Sequence, residues 1–302
     1  MSRSARVLVL GGAGQLGSRL ACRLTASGYE VVATTRGPTV AGSPLTSFDP
    51  WRNDWASLGR FAAVVNAIGA IEERGEDTFV RVHVELAERL IAQHRLLGAP
   101  RLLHLSALGA RPDHPSPFLA SKGQADRRLL AALPGAAIVL RPSIVLTPGT
   151  MLIQRLRRAA ALARFTRGRL PFPRAALATR LQPVLADDLT GLAAELLAAL
   201  LAEDPLANPA PVLEIVGAEV YTVGALFARA LAAHGLLFHP LPLPLPALQV
   251  LLSLAPSPLR RRLLTPEELR LLGEDNLPTG AAKTAVVTGG PTAAWLDQAL
   301  QP

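Results

Sequence analysis

The chain has 302 residues, half of them hydrophobic and only 4% aromatic, so it can bury a large core but offers few rings for stacking on bases. Its single cysteine, Cys22, excludes an intramolecular disulfide framework and a cysteine metal cluster. The net charge of +8 is local: residues 101–180 hold 14 Lys+Arg against 2 Asp+Glu, whereas 241–302 hold five of each, which points to an anionic partner for one region.

The N-terminus passes from "MSRSA" directly into a strand, so no secretory signal is expected. No uninterrupted apolar run reaches the ~18 residues of a membrane span. Residues 6–37, "RVLVLGGAGQLGSRLACRLTASGYEVVATTRG", carry the strongest signal. A buried-type strand, Arg6–Leu10, runs into Gly11-x-x-Gly14-x-x-Gly17. A helical pattern with Leu16, Leu20 and Leu24 follows and ends at Ser27-Gly28, before a second strand at Tyr29–Thr34. That β-turn-α-β context is the one in which a glycine fingerprint binds a dinucleotide. Gly11 permits the tight turn, Gly14 admits the pyrophosphate to the backbone, and Gly17 allows helix to pack on strand. The diphosphate is expected on the backbone N–H groups around Gln15 and Leu16, at the positive end of the helix. Cys22 falls on the apolar face of this helix and is expected in the core.

An NAD-specific site usually has an acidic residue at the end of the second strand. Here the strand ends "ATTRG", with two hydroxyls and Arg36, nineteen residues after Gly17. Thr34, Thr35 and Arg36 suit the 2′-phosphate of NADP, so NADP(H) is preferred over NAD(H); a solvated surface arginine is the alternative reading of Arg36.

The alternation then continues. "FAAVVNAIGAI" (61–71) reads as a buried strand ending at Asn66-Ala67-Ile68-Gly69, and 79–98 reads as one long amphipathic helix. "PRLLHLSALGA" (100–110) is a strand ending at Ser106. A helix carrying Phe118 and Lys122 follows, then a strand at 136–146 containing Pro142 and Ser143. Strands alternating with helices predict an α/β fold with a Rossmann-type, doubly wound parallel sheet. Ligands bind such sheets at the carboxyl ends of the strands, where these segments gather.

Taken together, the glycine loop, "NAIGA", "HLSALGA", the Phe118-to-Lys122 turn, "LRPSIVL" and "LQPVLADDL" resemble the extended and atypical short-chain dehydrogenase/reductase superfamily over nearly the whole chain. Within it, "HLSALGARPDHPSPFLASKGQAD", "VLRPSIV" and "LTPEELRLLGEDN" are most similar to the NADPH-binding accessory subunits of respiratory complex I and their bacterial relatives. The resemblance implies a serine that polarises a substrate carbonyl, a tyrosine that donates a proton, and a lysine that binds the nicotinamide ribose. Ser106 and Lys122 match, but Phe118 stands at the tyrosine position. A phenylalanine keeps the ring and loses the proton, which costs about 10²–10⁴ in rate while leaving cofactor contacts in place. His114, one turn earlier beside Asp113, is a candidate substitute donor, although a surface role is the plainer reading of a histidine among prolines.

After "RPSIVLTPG" the alternation lapses. Residues 151–180 contain eight arginines and no acid, with Leu152, Leu156, Ala159, Ala160 and Ala163 on one helical face. Such a helix can lie on an anionic membrane, pack on its own domain or bind an acidic subunit. Asp187 and Asp188 favour a helix start. Residues 239–264 alternate proline with leucine, then turn apolar and end in Arg260–Arg262, which suits a lipid- or subunit-facing edge or a lid. A last short helix near Thr292 is anchored by Trp295.

The expected organisation is an NADP-binding Rossmann domain over 1–150, rejoined by parts of 181–217. A smaller, mostly helical lobe is expected from 151–180 and 218–302. Two functions stay open: an NADP(H)-binding accessory or assembly protein of the complex I type, weak or inactive as a catalyst, and an active NADP-dependent reductase or epimerase on a quinone- or isoprenoid-like substrate. The expected partners are NADPH and, through 151–180 and 239–264, respiratory-complex subunits or an anionic membrane surface. No nucleic acid and no metal are expected, and the expected location is cytoplasmic, including peripheral attachment to the inner face of a membrane.

Overall fold

The computed structural model describes residues 5–202, 210–244, 247, 273–280, 282–287 and 292–301. Contacts divide the chain into two units.

The first unit comprises Met1–Pro142, Ala186–Ile215 and Pro278–Ala285. Its strands are β1 (Arg6–Leu10), β2 (Glu30–Thr35), β3 (Leu45–Ser47), β4 (Ala63–Asn66), β5 (Arg101–Leu105) and β6 (Ala137–Pro142). Val212–Gly217 and Lys283–Val287 complete an eight-stranded sheet, in which the first six run in the order β6-β5-β4-β1-β2-β3. All pairings among these six are parallel. The reversal of strand order beside β1 makes the β1–β4 edge the switch point, where the loops diverge and leave a crevice.

Continuous burial explains the strand composition. β4 is buried at every position, and β1 and β5 at all but the first, so both faces of the sheet are covered. Helix α1 (Gln15–Ala26) covers it through Gly17, Leu20 and Leu24. Cys22 is exposed, contrary to the core position expected of it. It lies two residues from both Leu20 and Leu24, about 200° around the helix from either.

The stretch at 79–98 also differs from the single α-helix expected. Val80–Glu85 forms a π-helical turn, and α2 proper spans Leu86–Gln93. Val82, His83 and Val84 are consecutive and all buried, which a uniform α-helical stripe does not provide. The wider turn places His83 inside the protein. Helix α3 (Pro117–Ala132) begins at Ser116, whose hydroxyl accepts a hydrogen bond from the N–H of Leu119. His114 is buried, and its Nδ1 accepts from the N–H of Ser116, so it belongs to this helix start and not to the surface.

The second unit comprises Ser143–Leu185, Val216–Leu277 and Val286–Pro302. Its described residues include α4 (Met151–Thr166), a helix at Val223–Ala232, another at Thr292–Leu300 and three two-stranded ribbons. One ribbon pairs Arg169–Pro173 in parallel with His239–Leu243, so the proline–leucine alternation is a strand here. Ile153, Leu156, Ala160 and Ala163 bury the inner face of α4. Trp295 packs against the core formed with Leu226 and Phe172. Residues 245, 246 and 248–272, which hold the apolar run and Arg260–Arg262, lie outside the described residues.

Candidate functional site

The loop from β1 to α1 is a close-packed glycine turn. Gly11 has φ +82°, and a Cβ there would stand 3.1 Å from the backbone of Ala67 and Ile68, so the ends of β1 and β4 nearly touch. A Cβ at Gly17 would lie 2.1 Å from the Gly11 carbonyl oxygen. The helix start at Gly14 carries no side-chain cap and has no acid in its first turn. A positive helix end without a competing side-chain cap or acid, walled by glycine, fits a pyrophosphate. The cradle fits a dinucleotide on these grounds. Gly17→Ala is expected to destabilise the protein by about 1–3 kcal/mol, because overpacking against rigid backbone outweighs the gain of about 1 kcal/mol in helix propensity. A fall in melting temperature together with loss of dinucleotide uptake would be the measured outcome.

At the end of β2 the two threonines part company. Thr34 is buried, with its hydroxyl 3.5 Å from the Val9 carbonyl, so it faces the core. Thr35, on the opposite face, accepts from the Gly37 N–H at 3.2 Å. Arg36 forms a bidentate pair with Asp77, at 2.6 and 2.7 Å.

The carboxyl ends of β4 and β5 meet α3 in a buried polar cluster. Lys122 is 5% exposed, and its Nζ donates to the Leu105 carbonyl at 2.8 Å. Gly69 sits over it, since a Cβ there would come within 3.1 Å of Nζ. Burial lowers the Lys122 pKa to about 8, against a smaller opposing pull from Asp126 one turn further along α3. Ser106 Oγ donates to Asp126 Oδ2 at 2.9 Å, and Arg141 Nε donates to the same oxygen at 2.9 Å. Burial raises the Asp126 pKa, and Arg141 opposes the rise.

Two histidines complete the cluster. The Ala70 N–H donates to His83 Nε2, so the His83 proton lies on Nδ1, where it is given to Ser121 Oγ at 2.8 Å. Ser121 in turn donates to the Phe118 carbonyl. Burial, aided by Lys122 and His104, lowers the His83 pKa to about 2, so the ring is neutral. Asn66 Oδ1 accepts from Ile68 N–H, which aims its amide nitrogen at His104 Nδ1, 3.0 Å away. The His104 proton is then on Nε2, 3.7 Å from Asp126 Oδ1, beyond hydrogen-bond distance. Both of those atoms are buried without a hydrogen-bond partner. The Phe118 ring packs on Phe79 and His83, at 5.8 Å in each case.

The structure therefore brings Ser106, Phe118, Lys122 and Gly69 to one place. It points Asn66 into the cluster, and Ala67 serves through its N–H to the Leu10 carbonyl. The Pro142 carbonyl accepts from Leu108 N–H, and the Ser143 hydroxyl donates to Asn276 Oδ1 at 2.6 Å. His83, His104, Asp126 and Arg141 escaped sequence reasoning. Their signals were a histidine inside the apolar strand "RLLHL" and an aspartate four residues after Lys122.

The model of the NAD dependent epimerase/dehydratase family matches residues 7–162. The chain belongs to this family. The match covers the glycine cradle, the Lys122 cluster and α4 up to Leu162. A mitochondrial NADH dehydrogenase [ubiquinone] 1 alpha subcomplex subunit 9 from Arabidopsis thaliana is 27% identical over 80% of this chain and 66% of its own length. A dTDP-6-deoxy-L-talose 4-dehydrogenase (NAD(P)(+)) from Kitasatospora kifunensis is 35% identical over 34% of this chain. The chain spans 36% of that dehydrogenase and just under two thirds of the plant subunit. Among solved structures, MoeE5 in complex with UDP-glucose and NAD shares the fold with a TM-score of 0.62 at 20% identity, covering 98% of this chain and 96% of that one.

Proposed function

We propose that this epimerase/dehydratase-family protein binds NADP(H) across the β1–α1 crossover and acts as an accessory or assembly factor of the respiratory NADH:quinone oxidoreductase type, with weak or absent turnover. The observation that carries the reading is Phe118, one turn before Lys122, at the position where the resemblance calls for a proton donor. The groups around it support the same conclusion. Ser106 gives its proton to Asp126, and neutral His83 gives its own to Ser121. In this reading Gly11, Gly14, Gln15, Leu16 and Gly17 hold the pyrophosphate, Thr35 and Arg36 face the adenosine ribose, and Lys122 holds the nicotinamide ribose. The cofactor would supply a hydride donor or acceptor there. The protein supplies binding and orientation without a committed acid, and the bound nucleotide stabilises the fold by mass action.

The similarity to the complex I subunit over 80% of the chain supports the accessory role. On α4 and the strand after it, Arg164, Arg167 and Arg169 are exposed around Phe165, which is 88% exposed. That face suits an acidic subunit or an anionic membrane surface. Among the described residues no helix is long and apolar enough to cross a membrane.

A second reading is an active NADP-dependent reductase or epimerase on a quinone- or isoprenoid-like substrate. The lowered Lys122 pKa favours it, because an ammonium near 8 can itself serve as an acid close to neutrality. Calorimetry of the folded protein with NADPH and NADH, followed by NADPH oxidation against quinone and carbonyl panels, tests both readings. Uptake without turnover is the expected result. Brisk turnover would replace the accessory reading with the second, and no uptake of either dinucleotide would remove both.

A further inference from the structure

The Arg36 guanidinium is the cation that the 2′-phosphate would need, yet a carboxylate 41 residues further along the chain already occupies it in bidentate fashion. Asp77 does not reach it from a loose tail. Arg74 and Asp77 exchange backbone hydrogen bonds at 2.9 and 3.2 Å, closing a tight turn. The Phe79 N–H donates to Glu73 Oε1 at 2.8 Å, which ties the same turn to the start of the π-helical segment. Arg81, paired with Glu76, lies over the Trp51 ring at 5.2 Å, and Arg36 lies over that ring at 5.8 Å. The turn thus presents a carboxylate to a fixed guanidinium from a built position. The pair holds the Asp77 carboxyl below its ordinary range, chiefly through the hydrogen bonds from Arg36.

We infer that Asp77 is a specificity-determining residue for the dinucleotide: its carboxylate competes with the 2′-phosphate of NADP(H) for Arg36. This rests on the proposed dinucleotide binding and deepens it. The strand end "ATTRG" lacks the acid that would reject a 2′-phosphate, and the turn at 74–77 supplies one from elsewhere in the chain. A 2′-phosphate must displace Asp77 and then bear its repulsion, whereas a 2′-hydroxyl need not disturb the pair. The side chains are 50% and 26% exposed, so the competition is modest in size.

The test is direct binding by calorimetry of NADPH and NADH to the wild type, Asp77→Asn, Asp77→Glu and Arg36→Gln. Asp77→Asn is expected to tighten NADPH about threefold to fivefold at low salt, with NADH unchanged, as removal of a partly exposed competing charge allows. Asp77→Glu should stay near the wild type, and Arg36→Gln should abolish the difference that Asp77→Asn makes. A purely structural pair would move both nucleotides equally, so an NADPH/NADH affinity ratio unchanged by Asp77→Asn overturns the inference while the proposed binding stands. If the wild type takes up neither nucleotide, the inference falls together with the reading beneath it.

Discussion

Phe118→Tyr is expected to raise NADPH-dependent turnover by about 10²–10⁴, the contribution of a positioned general acid. The substitution adds one hydroxyl to a ring that is already seated. Phe118 is half-buried and packs against Phe79 and His83, so its edge is not sealed on all sides. Lys122 lies one turn further along α3, close enough for its positive charge to favour the tyrosinate and bring the new hydroxyl towards neutrality. Single-turnover oxidation of bound NADPH is the decisive measurement, since it separates chemistry from binding and release. The gain should vanish when Lys122→Met is added. A variant that still binds the nucleotide but stays inert would locate the deficit at Ser106, whose hydroxyl is turned away onto Asp126.

The elements around Phe118 differ in how far the sequence disclosed them. The parallel sheet was legible because β1, β4 and β5 are buried on both faces and read as continuous apolar runs between helical patterns. Strand ends fall one or a few residues away from where hydropathy puts them, as at β2, where hydrogen bonding sets the limit. The π-turn at Val80–Glu85 was illegible, since one inserted residue scarcely alters apolar spacing yet rotates His83 inward. Arg36 was legible as a cation at a strand end. Its partner was not, because Asp77 reaches it through a turn that hydropathy does not encode. Buried polar groups such as His104 and Asp126 are set by contacts between strands and α3, and single-element patterns carry no trace of such contacts.

That cluster makes Arg141 the residue whose loss should cost the fold most. Asp126 is 1% exposed, and Arg141 is its nearest formal charge, bonded at 2.9 Å. The Ser106 hydroxyl is neutral, and His104 Nε2 remains 3.7 Å from the other carboxylate oxygen. Arg141→Met should therefore leave a carboxylate in a dry setting with only the weaker, more distant pull of Lys122, a loss of about 3–5 kcal/mol. Chemical denaturation at pH 7 would read it. The pH dependence supplies an internal check. Burial already holds the Asp126 pKa above its ordinary 3.8, so the native state binds more protons than the unfolded chain between that value and the raised one. Stability from this group is then full below the unfolded value and falls as pH rises through the folded value. Removing Arg141 takes away the largest opposing influence, so the window should extend upward and the variant should recover part of its loss on acidification from pH 7 towards 4. The double variant Asp126→Leu/Arg141→Met removes the charge together with its partner and should lie nearer the wild type than Arg141→Met does. Because Ser106 would then lack an acceptor at Asp126, the double variant also frees that hydroxyl, and any turnover it gained in a Phe118→Tyr background would show that Asp126 had been restraining it.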